Sequence, residues 1–289
     1  MMKAIAGVSA VVLSAFVALG TGRAGAQTAE SLVPASVKAK GAMTVGSQQT
    51  FPPVEFREAG SQAVTGASAE LLREVAKRLK LRLDYVQSEY AALIPGIEAG
   101  RFDIASGGIS DTEEREKTLD FVNYMRSGGA MLALAATAAQ YKSIDDFCGK
   151  SVATLLGSRV IMEKVEATSV ACVAAGKQPI RAEQLPSAPD ARMQLDLRRV
   201  DAYLGDLPAL AYLSSQFPGR YGIVGGNYIM TPYITSWGFG KKATELRDAV
   251  KTGLDEMLAD GTYKAIMTKW GLEGGLLDKI TINLPASKR

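Results

Sequence analysis

Ten consecutive residues, Ser106-Gly107-Gly108-Ile109-Ser110-Asp111-Thr112-Glu113-Glu114-Arg115, hold the chemistry most easily read from this chain. Small residues let backbone come close to a ligand. Ser110 and Glu113 have the S-x-x-E spacing of a capping box, which predicts a helix opening near Ser110. A helix start presents unpaired N–H groups to an anion. Arg115, about one turn in, can grip a carboxylate with two parallel hydrogen bonds. Such a set would hold a small molecule by its carboxylate. An ordinary capped surface helix with a solvated Arg115 would leave the same ten residues.

A weak internal repeat supplies the opposite charge. Ile97 to Ile104 and Leu195 to Ala202 share one order: helix end, Arg, apolar residue, Asp, strand. The first copy leads to Arg115 and the second to Asp206. Ligands of open α/β sheets bind at the C-terminal ends of strands. The repeat therefore predicts a cation and an anion at equivalent ends of two lobes, which is what a zwitterion needs. Asp206 also suits the cap of a helix that begins near Pro208, and the two roles are compatible.

The elements that must position these groups alternate strand with helix, so the expected fold class is α/β. Met43–Gly46 reads as a first strand and Leu81–Val86 as another. Glu70–Lys80 reads as a helix with Leu71, Leu72, Val75 and Leu79 on one face. Ala92–Ala99 is a short helix, with Pro95 in its first turn and Gly100 as its stop. Thr244–Ala259 is amphipathic through Leu246, Val250, Leu254 and Met257, and Gly261–Trp270 reads as a last helix.

Composition narrows the function classes. Lys3, the apolar run Ala4–Gly20 and Ala24-Gly25-Ala26 predict an export signal cleaved after Ala26. An uncleaved anchor is the alternative, since a spanning helix needs roughly 17–25 residues. Removing this segment takes away Lys3 and Arg23 and no acid, which brings a formal charge of +3 closer to zero. A nearly neutral chain without a basic run is a poor nucleic-acid partner. Cys148 and Cys172 are the chain's two cysteines, and in an oxidising compartment they should pair. That bond would close a loop of roughly 25 residues and add roughly 3.5 kcal/mol. Two separate buried thiols are the plainer alternative. There is no histidine, which removes Ser-His-Asp and Cys-His nucleophile systems and argues against a metal site. No cofactor is expected.

Five ordered motifs then carry a resemblance. They are Gly46 to Phe56 with its Phe51-Pro52-Pro53 loop, Tyr90 to Pro95, Phe102 to Arg115, Cys148 to Ser158, and Val200 to Asp206. From about Ala42 to Trp270 the chain resembles extracytoplasmic solute-binding proteins of polar amino-acid ABC transporters, family 3. The resemblance implies a two-lobed periplasmic-binding-protein fold of type II with two crossing hinge strands. Lobe 1 would be residues 27–132 plus 236–289 and lobe 2 residues 133–235, so both cysteines would fall in lobe 2. It implies a monomer in the periplasm that passes an amino acid to an inner-membrane ABC permease and catalyses nothing.

Carried over position by position, Arg115 would clamp the ligand α-carboxylate, helped by Ser110, the Gly108 N–H and Ser158. Asp206 would accept the α-ammonium. Phe51 and Tyr90 would sandwich the ligand, though both also suit plain core positions. Three departures stand out. Gln48 replaces the acidic residue of dibasic-amino-acid binders, which favours a neutral polar or acidic ligand. Arg159 follows Ser158 where Ser or Thr is common, and it either reaches a second carboxylate or is a solvated loop residue. The helix opening Gly66–Glu70 lacks the bulky residues usual there. A cyclohexadienyl-dehydratase-like enzyme on the same fold is the runner-up, with Glu55 as a weak candidate acid. A sensory ligand-binding protein is a third reading.

Overall fold

A computed structural model describes residues 28–226 and 228–288, and the expected export segment lies outside them. The strands among these residues are β1 (Ala42–Ser47), β2 (Thr50–Phe51), β3 (Glu55–Arg57), β4 (Val64–Thr65), β5 (Arg82–Gln87), β6 (Ile104–Ser110) and β7 (Leu119–Leu134). They continue with β8 (Ser151–Leu155), β9 (Arg181–Leu185), β10 (Ala202–Asp206), β11 (Tyr221–Ile223), β12 (Thr231–Gly240) and β13 (Thr281–Ile282).

One mixed sheet runs in the order β5-β1-β6-β12-β7-β10-β8-β9. β5, β1 and β6 are mutually parallel at one end, and β10, β8 and β9 at the other. Between them lies the antiparallel pair β12 and β7, which carries the chain from one half to the other. β7 is sixteen residues long, enough to pair with β12 along its first part and with β10 and β11 along its last. β2, β3 and β4 form a separate small sheet.

Each half has its own core. Leu71, Leu72 and Val75 of the helix Ala67–Arg78 pack in one cluster with Trp237, Phe239 and Leu246, Val250, Leu254 and Met257 of the helix Thr244–Ala259. These last four are the apolar stripe read from the sequence. Full burial of each such side chain is worth about 2 kcal/mol. Met131, Phe147, Val152, Ile161, Val165 and Cys172 make a core in the other half. There the Cys148–Cys172 disulfide is formed, with Cα atoms 5.6 Å apart.

The capped helix expected at Ser110 is not there. β6 continues through Ser110, which pairs with Thr235 of β12. The Asp111 N–H is taken by the Ile234 carbonyl at 3.0 Å, so strand pairing overrides the local signal. The chain turns later. Thr112 Oγ1 accepts the Arg115 N–H at 3.2 Å and starts a single 3-10 turn, Arg115–Lys117. Donors to an anion must therefore come from a strand end and a turn instead of a helix start. Among the described residues, no helix is long and apolar enough to cross a membrane.

Candidate functional site

β6 is buried along its whole length, as a central strand with small residues should be. At its end Gly107 and Gly108 have φ of 95° and 92°, a region open mainly to glycine. A Cβ on Gly108 would sit 2.7 Å from the Phe51 ring. The bare backbone at Gly108 thus lets the Phe51 ring come close to the strand end. Gly108→Ala should push the ring out of place, destabilise the fold by about 1–2 kcal/mol and weaken ligand binding at least tenfold. Thermal melts and calorimetry on the variant check both.

A cavity opens here between the two halves. Its wall from the first half includes Gln48, Phe51, Tyr90, Gly108 and Ser110, and its wall from the second includes Ser158, Tyr203 and Asp206. Six residues singled out in the sequence thus meet Asp206 at one hollow. Asp206 is the last residue of β10 and sits at the cap position of the helix Leu207–Gln216, yet its side chain makes no capping bond. The carboxyl faces the cavity instead. Burial pushes it up to about 7, while the Arg115 guanidinium draws it down.

Arg115 does not line that cavity directly. It lies behind Ser110, where Nη1 donates to Ser110 Oγ at 2.7 Å and to its carbonyl at 2.9 Å. Nη2 donates across to the Gly157 carbonyl of the other half at 3.1 Å. At least three of the five guanidinium N–H groups are thereby engaged before any ligand arrives. The same side chain, with Tyr90, borders a second hollow next to the cavity. Arg159 borders that second hollow too, and not the main cavity. It points outward, with Nε donating to Glu163 at 2.8 Å, one helical turn further on. Of the two readings of Arg159, this geometry is the solvated one.

Other contacts join the halves as well. Gln48 Nε2 donates to the Pro186 carbonyl at 3.3 Å, and the Phe56 and Tyr212 rings lie 6.2 Å apart. Tyr203 was not foreseen. Burial and the Asp206 charge raise the pKa of its hydroxyl well above the ordinary range. Its oxygen would lie 3.1 Å from a Cβ on Gly205, so the glycine beside Asp206 makes room for it. That Gly-Asp pair was the available signal. Tyr233, from β12, also lines the wall.

Glu55 is elsewhere. It is fully buried, with hydroxyls of Ser47, Ser106 and Ser68 donating to it, and it does not line the cavity. Burial raises its pKa, and those hydroxyls oppose the rise. Among the described residues no three His, Cys, Asp or Glu side chains are placed to hold a metal.

Known proteins share this fold. The chain is 30% identical to the arginine-binding protein ArgT of Corynebacterium glutamicum over 88% of its own length and 82% of the relative. It is 29% identical to the L-cystine-binding protein TcyA of Bacillus subtilis, covering 82% and 83% of the two chains. A crystal structure of a mutant ArgBP from T. maritima superposes with a TM-score of 0.72 at 26% identity, covering 82% of this chain and 97% of that one. The fold is that of type II periplasmic amino-acid-binding proteins. Residues 43–273 match the pattern of the bacterial extracellular solute-binding proteins, family 3, and the chain belongs to that family.

Proposed function

We propose that this protein captures a free α-amino acid between its two lobes and passes it to an ABC permease of the inner membrane. One observation carries the reading. Ser110, backed by the Arg115 guanidinium, and the Asp206 carboxyl sit on opposite walls of one interlobe cavity. A zwitterion loses strong hydration on entering such a place, so each of its charges needs a fixed partner there. Arg115 with Ser110, Ser158 and the Gly108 N–H takes the carboxylate, and Asp206 takes the ammonium. Phe51 and Tyr90 flank the ligand.

The lobes are residues 27–132 plus 236–289 and residues 133–235. Ala130, Met131 and Leu132 belong to the cores of the second half, which supports moving the first boundary back toward Gly129. The mature chain begins at Gln27 and works in the periplasm as a monomer.

Binding is favoured over catalysis because Glu55 is sealed off and Asp206 is the one carboxylate on the cavity wall among the described residues. The same fact, with Gln48 at the wall, favours a neutral polar or acidic ligand over a dibasic one. Arginine is the competing ligand, because two of the similar proteins are arginine binders. Calorimetry on refolded, ligand-free protein with glutamine, glutamate, cystine and arginine decides. A neutral or acidic amino acid should bind at about micromolar Kd, with arginine at least tenfold weaker. Arginine as the tightest ligand would overturn the preference. Nothing tighter than millimolar would overturn capture itself.

A further inference from the structure

The cavity does not end at Tyr203. Thr50, Ala188, Tyr203 and Ala209 also border a second interlobe chamber of about 260 Å³. Three further polar side chains reach this outer chamber, Gln49, Arg57 and Arg192, and among the described residues no acid lines it. Gln49 is 3% exposed, and among the described residues neither its Nε2 nor its Oε1 has a hydrogen-bond partner. Its backbone is left-handed, with φ of 62°. A buried amide with every hydrogen bond unmade is rare in folded proteins and calls for an explanation at that spot.

The two guanidiniums point the same way. Arg57 Nη1 donates to a neutral acceptor, Gln62 Oε1 at 3.3 Å, and Arg57 makes no ion pair among the described residues. Its Nε is buried and unpartnered. Arg192 forms a long ion pair with Asp196 at 3.9 Å and lies over the Phe217 ring at 5.7 Å, but its Nε makes no hydrogen bond among the described residues. Asp196 is already engaged, by Arg220 at 3.0 Å and the Tyr221 hydroxyl at 2.5 Å. The remaining walls are largely apolar, with Pro52, Phe56, Leu210 and Leu213. A chamber with two cations, an unpartnered amide and no lining carboxylate among the described residues suits an anion with several acceptor lone pairs.

We propose that the outer chamber binds the distal carboxylate of an α-amino acid with a long side chain, held by Arg57 and Arg192 with Gln49. This deepens the capture reading and rests on it. The α-amino and α-carboxyl groups stay in the inner cavity, and the side chain passes Thr50 and Tyr203 to reach the outer one.

The test is calorimetric. γ-L-Glutamylglycine carries such a distal carboxylate, and γ-L-glutamylglycinamide is its neutral, equally long counterpart. Wild type should bind the acid at least tenfold tighter than the amide. In the Arg57→Gln/Arg192→Gln double variant the two should bind alike, while whichever of L-glutamine, L-glutamate or L-arginine binds wild type keeps its affinity within threefold. Equal binding of acid and amide by wild type, or a preference that survives in the double variant, overturns the role of the outer chamber. So does binding of one of the three short amino acids without γ-L-glutamylglycine. Binding of L-cystine without γ-L-glutamylglycine overturns the outer chamber and leaves capture standing, and if neither L-cystine nor any of the five probes binds, both fall.

Discussion

Asp206→Asn is expected to weaken amino-acid binding by about 2–5 kcal/mol, roughly thirtyfold to several thousandfold. The asparagine keeps the shape and removes the charge that meets the ammonium. The same change should not harm the empty protein. The folded carboxyl has its pKa raised to about 7, above the value of an unfolded Asp. Ionising it in the fold therefore costs stability, and that cost grows as pH rises from about 4 to 7. Asparagine removes the cost, so the empty variant should match wild type near pH 4 and exceed it above pH 7, by at most about 4 kcal/mol. Ligand binding needs the ionised form. Wild-type affinity should accordingly fall as pH drops below 7, approaching tenfold per unit, with proton release visible as buffer-dependent heats near pH 6. An affinity that stays flat from pH 8 to pH 5 would contradict this.

Arg115→Ala carries the second large effect, again about 2–5 kcal/mol of binding. Ser110 and the Gly157 carbonyl hold the guanidinium in place before any ligand arrives. Little side-chain ordering is then charged against binding. The variant leaves the ligand carboxylate without its cation and also removes a contact between the lobes. Arg115→Lys should fall in between, because a single ammonium cannot form the fork. Comparing the preferred amino acid with its α-carboxamide isolates the cause. Wild type should reject the amide strongly, and Arg115→Ala should treat the two nearly alike.

What the sequence disclosed and what it withheld divide along a physical line. The apolar stripe of Thr244–Ala259 is local, and the helix spans those residues. Ser110, Gly108, Phe51, Tyr90, Ser158, Gln48 and Asp206 were legible because each sits within a short motif, and the fold gathers the motif ends at one place. The capping box at Ser110 misled because its backbone groups are claimed by β12, more than a hundred residues away. Arg115 ends up behind Ser110 for the same reason, since the chain turns later than the spacing suggests. Tyr203 was hidden by alternation, which sets it on the opposite face of β10 from Asp206. Only the missing side chain of Gly205 lets its hydroxyl past. The free amide of Gln49 has no sequence signal at all, because being unpartnered is a property of the finished packing.

The place of β12 bears on how the molecule is built. It lies between β6 and β7, although it follows them by some hundred residues. The helix Thr244–Ala259, which fills much of the same core, comes later still. As the chain emerges, the strands from β1 to β7 must wait with an open edge and half a core. The segment from β8 to β11, with its disulfide, can close on itself in the meantime. Assembly should thus proceed from the middle outward, and the interval before β12 docks is when the nascent chain is most exposed to edge-to-edge aggregation.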